Sequence, residues 1–182
     1  MASTIELLLL ALLSGPGQPP MVQTDATTYA SGNVTTATAV TQAWPALPGT
    51  PAAGAVYTVE TAFTGTWEGN SLGFSADIGG TWYSFAPNIA SGAFSSAAAV
   101  AGWLKLTVRV TSATACKISL AGAIGETASA VSPGSGAVPV ASSAASVTFG
   151  ASDAIGLGVA FGSGSAGQGI TCYGSTFTIA GA

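Results

Sequence analysis

From about residue 25 onward, apolar and polar side chains alternate, the period-two signature of strands with one face buried. Over residues 56–67, Tyr57, Val59, Phe63 and Trp67 fall on one side and Thr58, Glu60 and Thr64 on the other. Residues 103–110 alternate most cleanly: Leu104, Leu106, Val108 and Val110 share one face, Lys105, Thr107 and Arg109 the other. Residues 116–124 continue the pattern, with Cys116, Ile118, Leu120 and Ile124 inward and Lys117 and Ser119 outward. The runs 72–78 and 81–85 flank Gly79-Gly80, a two-residue hairpin signal. Further strands are predicted at 146–149, 155–161 and 170–179, with one or two between residues 27 and 44. Eight to ten strands without long intervening helices imply an antiparallel all-β sandwich or a closed barrel.

Three stretches depart from this pattern. Residues 86–101 read as a loop with a helical turn at 95–100, and residues 126–146 as a long loop of low complexity. Gly162 to Gly169 reads as a flexible inter-strand loop; it has no Lys and precedes a strand, so it is not a phosphate loop. On 155–161 the inward Ile155, Leu157, Val159 and Phe161 alternate with Gly156, Gly158 and Ala160. A face this bare either admits the close approach of another backbone, as around a three-fold axis between identical sandwiches, or reflects the Ala/Gly-rich composition alone.

The first 24 residues obey different rules. Ser3 or Thr4 can cap a short helix over about residues 4–13, Glu6 sits in its first turn, and Gly15-Pro16 ends it. Its leucines wrap most of the way round, so the helix must be buried on all sides, and at this length it is marginal alone. Ile5, Leu8, Leu9, Leu12 and Leu13 are therefore candidate anchoring residues for a partner, the alternative being packing on their own domain. The stretch resembles a signal peptide but lacks a positive n-region and carries Glu6, so it is read as structure. Residues 15–24, with three prolines, form an extended semi-rigid arm. The expected organisation is an arm over 1–24 and a β domain over 25–182.

Composition narrows the function. Mean hydropathy is +0.56, yet the longest apolar run, residues 7–13, falls far short of the roughly 20 residues a spanning helix needs, so no membrane partner is expected. Three basic residues against seven acidic ones cannot supply a phosphate-binding footprint, so no nucleic acid is expected. The sequence has no His, which removes the usual nucleophilic triads and the commonest zinc ligand. No catalytic, metal-binding or cofactor-binding residues are assigned. Glu60 and Asp77 could face each other across neighbouring strands as a carboxylate pair, but solvated strand carboxylates are the simpler reading. Lys105, Arg109 and Lys117 share one face and could pair with Glu60 or Asp77, or anchor an acidic partner. Cys116 and Cys172 are either buried thiols or one bridge. Trp67, Trp82 and Trp103, with Tyr83 beside them, are candidates for a subunit interface or a sugar-stacking platform, Trp103 lying on the Lys105 face.

Several motifs from residue 53 onward are similar to those of a known group of proteins. They are Ala53-Gly54-Ala55-Val56-Tyr57-Thr58-Val59 through Phe63-Thr64-Gly65, then Gly79-Gly80, then Gly102-Trp103-Leu104-Lys105-Leu106-Thr107-Val108-Arg109-Val110, then Gly169-Ile170-Thr171-Cys172. Over about 130 residues the chain resembles the jelly-roll virion proteins of tailed bacteriophages. The resemblance implies a homotrimeric, tumour-necrosis-factor-like jelly roll on the particle surface, as a capsid decoration or head-fibre protein or a tail module. Its motifs are structural, and no catalytic residue is carried over. The expectation is a non-enzymatic virion protein, made in the host cytoplasm, that binds the major capsid protein through its arm. Ile5 and the six leucines, at about 1.5–3 kcal/mol each, set a gross ceiling of roughly 10–20 kcal/mol per arm, much of it offset by association entropy. The alternative is a tail-fibre or minor tail module that binds a host-surface glycan.

Overall fold

A computed structural model describes residues 21–45, 53–85, 88–94, 97–127, 138–141, 145–150 and 153–180. The expected N-terminal helix, with Ile5, Leu8, Leu9, Leu12 and Leu13, lies outside the described residues. Twelve strands are present: β1 (Met21–Ala30), β2 (Thr38–Ala39), β3 (Trp44–Pro45), β4 (Val56–Trp67), β5 (Leu72–Ile78), β6 (Thr81–Ser84), β7 (Ala98–Ser112), β8 (Ala115–Glu126), β9 (Val138–Ala141), β10 (Ala145–Thr148), β11 (Ala154–Phe161) and β12 (Gly169–Ala180). The wide sheet runs β1-β12-β4-β7-β8-β10, with β9 also on β8; the narrow sheet runs β2-β11-β5-β6, with β3 also on β11. Every pairing is antiparallel.

The strand order is that of a jelly roll. The first and last strands pair, the last lies between the first and β4, and β7 closes on β4, while β11 enters the second layer between β2 and β5. The β8, β9 and β10 strands extend the wide sheet beyond β7. The chain is thus an all-β antiparallel sandwich, with more strands than the eight to ten expected because short strands form where Gly, Ala and Pro had suggested loops. β9 lies within the predicted loop 126–146, and Ala98 to Val100 open β7 rather than forming a helical turn. β1 starts at Met21, inside the predicted arm, and pairs there with Ile179. Residues flanked by prolines can occupy an edge strand, which needs only one row of ladder bonds.

The core fills the space between the layers. Val59, Leu104, Leu106, Val108, Ile118 and Ile124 project from the wide sheet and Leu72, Leu157 and Val159 from the narrow one, all buried. The alternation at 56–67, 103–110 and 116–124 is reproduced in burial. Trp44, Phe177 and Tyr57 stack with centroids 5.4 and 6.0 Å apart, and Phe149 tilts onto Tyr57 at 5.7 Å. Gly102 lies in register with Phe63 and faces inward; a Cβ there would meet the Phe63 ring and the Ala123 carbonyl. Gly79 and Gly80 both have positive φ, 60° and 84°, as the tight turn between β5 and β6 requires.

Candidate functional site

The outer face of the wide sheet is built by rows of side chains in register across β12, β4, β7 and β8. One row reads Thr178, Thr58, Thr107, Ser119, and the next Thr176, Glu60, Lys105, Ala121. Beside them lie Ala62, Trp103 and Ala123, followed by Thr171, Thr64, Ala101 and Gly125. The face therefore presents Thr, Ala and Ser around a single indole, together with the charged Glu60, Lys105, Arg109 and Lys117. Trp103 is 49% exposed, and its cross-strand neighbours are alanines, which leave both flanks of the ring uncovered. Tyr173 and Val22, each 59% exposed, belong to β12 and β1 of the same sheet, and the Tyr173 hydroxyl is 2.8 Å from Thr64 Oγ1. Trp103, Tyr173 and Val22 are the exposed large apolar side chains among the described residues.

A cavity of about 330 Å³ opens beside the indole, lined by Glu60, Thr61, Ala62, Trp103, Leu104 and Thr176. Lys105 Nζ donates to Glu60 Oε1 at 2.6 Å in its wall, so the one acid and the one base next to Trp103 neutralise each other. Arg109 and Lys117 stand opposite one another in register nearer the β7–β8 turn. A second cavity of about 330 Å³, among Gly32, Thr64, Gly65, Gly169 and Thr171, offers only backbone and hydroxyl groups.

The other predicted site residues scatter. Trp67 is 1% exposed and packs edge-on against Phe94 at 5.4 Å, so it is a core residue and not part of a platform. It ends β4 on the inward parity set by Tyr57, and that parity alone identifies it. Trp82 is half-buried on the narrow sheet, and its ring covers the outer side of Gly158. At Gly158 the bare face of β11 has a cause within one chain, because Trp82 occupies the space a side chain there would take. Trp67, Trp82 and Trp103 thus form no common surface.

Glu60 and Asp77 lie on different sheets, so the proposed carboxylate pair does not form, and Lys105 pairs with Glu60 alone. Asp77 accepts from the Gly80 N–H at 2.8 Å; burial nonetheless raises its carboxyl above the ordinary value. Among the described residues no three His, Cys, Asp or Glu side chains are grouped to hold a metal ion. Cys116 and Cys172 are buried free thiols, each pushed up to about 11, chiefly by burial.

Sequence reasoning missed one polar cluster. Gln168, 3% exposed, donates through Nε2 to Asn33 Oδ1 at 2.8 Å and to the Ser163 carbonyl at 2.6 Å. Asn70 Nδ2 donates to Gln168 Oε1 at 3.0 Å and to Ser165 Oγ at 2.8 Å, and Ser163 donates to Asn70 Oδ1 at 2.6 Å. The 162–169 segment, expected to be flexible, is pinned by these bonds to two loops more than 90 residues away in sequence. An isolated Gln among Gly and Ser gave no periodic signal that could have shown it.

Neither a protein-family model nor a curated protein sequence matches the chain.

Proposed function

We propose that this protein is a non-enzymatic structural component of a bacteriophage virion, a trimeric capsid decoration or head-fibre protein. In this reading the jelly roll assembles with its own copies, and residues 1–24 fasten the assembly to the major capsid protein. The observation that carries it is the outer face of the wide sheet. It is broad and centred on an exposed Trp among short Thr, Ala and Ser side chains, with Glu60 and Lys105 paired beside it, and an exposed aromatic in such a patch is associated with protein contact. The jelly-roll strand order supports the resemblance from which the virion assignment comes. The scatter of the described acids over two sheets gives no reason to add a reaction.

The test removes residues 1–20 and measures cosedimentation with capsids lacking the protein. The truncated protein is expected to fold, to assemble with itself and to lose capsid binding. Binding equal to that of the full chain overturns the anchoring role.

The second reading is a tail module that binds a host-surface glycan. It is favoured by one observation, the open indole of Trp103 beside the Glu60–Lys105 pair. Its wider platform is not available, since Trp67 is buried and Trp82 lies on the other sheet.

A further inference from the structure

We infer that the outer face of the narrow sheet carries a binding site for a neutral hexopyranose, with the Trp82 indole as its floor and Asp77 and Asn88 as its two polar ends. The site goes beyond the assembly reading and does not depend on it, since it lies on the sheet that reading leaves uncovered. It is also separate from the Trp103 indole of the second reading, which belongs to the wide sheet.

The floor follows from strand register. Trp82 pairs with Asp77 across β6 and β5, and Gly158 pairs with Ser75 across β11 and β5. The indole that covers Gly158 therefore crosses β5 diagonally, between the outward side chains of Asp77 and Ser75. β6 and β11 stand two strands apart, about 9.6 Å, so the side chain spends its reach along the sheet and its ring lies flat. Ser75 points away from the core between Phe74 and Ala76, yet it is only 3% exposed, as a residue beneath a flat ring must be. Trp82 itself stays partly exposed, with its second face turned outward.

Polar groups stand at both ends of this ring. Asn88 lies against Gly73, where a methyl group would come within 3.0 Å of its Oδ1 and 3.3 Å of its Cγ. Gly73, Ser75 and Asp77 are successive outward positions of β5, so amide, ring and carboxylate follow one line. Four residues at about 3.3 Å each set the two ends roughly 13 Å apart, room for one hexose ring with a hydroxyl directed at each. Asp77 accepts from the Gly80 N–H through Oδ1 alone, and Asn88 is exposed. Among the described residues nothing else bonds to Asp77 Oδ2 or to the Asn88 amide.

A flat apolar surface with hydrogen-bonding groups at its rim is matched by a pyranose, whose axial C–H bonds make one apolar face and whose hydroxyls project from the edge. Charge narrows the class. All three basic residues of the chain, Lys105, Arg109 and Lys117, stand on β7 and β8 of the wide sheet. The narrow sheet thus offers a carboxylate and no cation. A phosphorylated, sulfated or uronic acid ligand would bring a second anion beside Asp77 with nothing to balance it. A neutral sugar hydroxyl instead donates to that carboxylate, a charge-assisted bond.

The experiment is titration of the full chain, labelled with nitrogen-15 at tryptophan, with methyl β-glucoside, methyl β-galactoside and methyl β-N-acetylglucosaminide. The four indole N–H resonances report it, and Trp82→Phe identifies the Trp82 signal. At least one of the three glycosides is expected to shift that signal saturably, with a Kd of roughly 1–10 mM for so small a contact, and to leave the Trp103 signal in place. Asp77→Asn and Asn88→Ala are each expected to weaken binding about tenfold while the chain stays folded by circular dichroism. Methyl β-glucuronide at pH 7 is expected to bind the parent at least about tenfold more weakly than methyl β-glucoside, and Asp77→Asn to remove that difference. Trp82→Ala is expected to abolish binding; should it not fold, the parent titration and the two polar variants carry the test. A Trp82 signal that none of the three glycosides moves overturns the inference. So does a shift at Trp103 alone, binding that survives both polar variants, or a glucuronide that binds the parent as tightly as the glucoside.

Discussion

The ring of Trp82 lies against Gly158, so that a methyl group at position 158 would come within 2.7 Å of the indole Cη2 and 2.9 Å of the Thr38 carbonyl oxygen. One contact is with a side chain that can turn away, the other with backbone that cannot. Gly158→Ala is therefore expected to destabilise the fold by about 1–3 kcal/mol, as overpacking does elsewhere. The double variant Gly158→Ala/Trp82→Ala should recover part of that loss, because only the Thr38 contact remains. A denaturant cycle on the four proteins measures the coupling, and strictly additive losses would disprove the contact's role.

Gln168 satisfies its buried amide through Asn33, Asn70 and Ser163. Gln168→Leu removes that amide and leaves the Asn33 and Asn70 amides short of partners. The expected cost is about 1–3 kcal/mol. Hydrogen exchange should show faster exchange of the amides from Ser163 to Gly169, with the β7–β8 hairpin unaffected. Unchanged protection of that segment would mean that the cluster does not hold it.

The two cysteines set a pH limit. Burial raises both thiols from 9.0 to about 11 in the folded chain. Below about pH 9 the thiols are protonated whether the chain is folded or not, and they give stability no pH dependence. As pH rises from 9 through 11 the unfolded chain loses protons that the folded chain retains, so stability falls. Tyr57, also raised by burial, adds to the same trend at higher pH. Urea midpoints at pH 8, 9, 10 and 11 are expected to be level and then to drop, with a smaller drop in Cys116→Ala/Cys172→Ala. At pH 8 a thiol reagent should label the native chain only as fast as it unfolds.

The Glu60–Lys105 pair is half-exposed in a single chain, with side-chain exposures of 50% and 46%. Lys105→Ala is expected to change stability by less than about 1 kcal/mol in denaturant unfolding, the usual worth of a surface pair. A loss above about 2 kcal/mol would show that the pair is shielded from water in the protein in solution.

How far the sequence revealed the fold depended on how local the cause was. Alternation at 56–67, 103–110 and 116–124 located the long strands and their inward faces, because burial on one side is imposed residue by residue. The Gly79-Gly80 turn was equally legible. The short strands β9 and β10 were harder, since Ala, Ser, Val and Pro carry little period-two contrast. For the site, strand parity placed Trp103 outward beside Lys105 correctly. The same parity puts Trp67 inward with Tyr57, Val59 and Phe63, at odds with a place in a surface platform. Trp82 over Gly158 and Gln168 between Asn33 and Asn70 depend on residues 76 to 135 positions apart in sequence, and only the folded topology brings them together.

The outer strand β1 loses register between Asp25 and Thr28, where Ala26 and Thr27 stand against Gly174 alone on β12, and Gly174, at φ 81°, takes up the opposing kink. Thr27 donates its N–H to Asp25 inside the bulge instead of pointing it along a regular ladder. A straight ten-residue edge would offer every passing copy a template to extend the sheet sideways. This chain, with only 5% charged residues, has little electrostatic repulsion to prevent that. The kink does that work by shape, interrupting the row of outward-pointing ladder groups on which a further strand would have to pair.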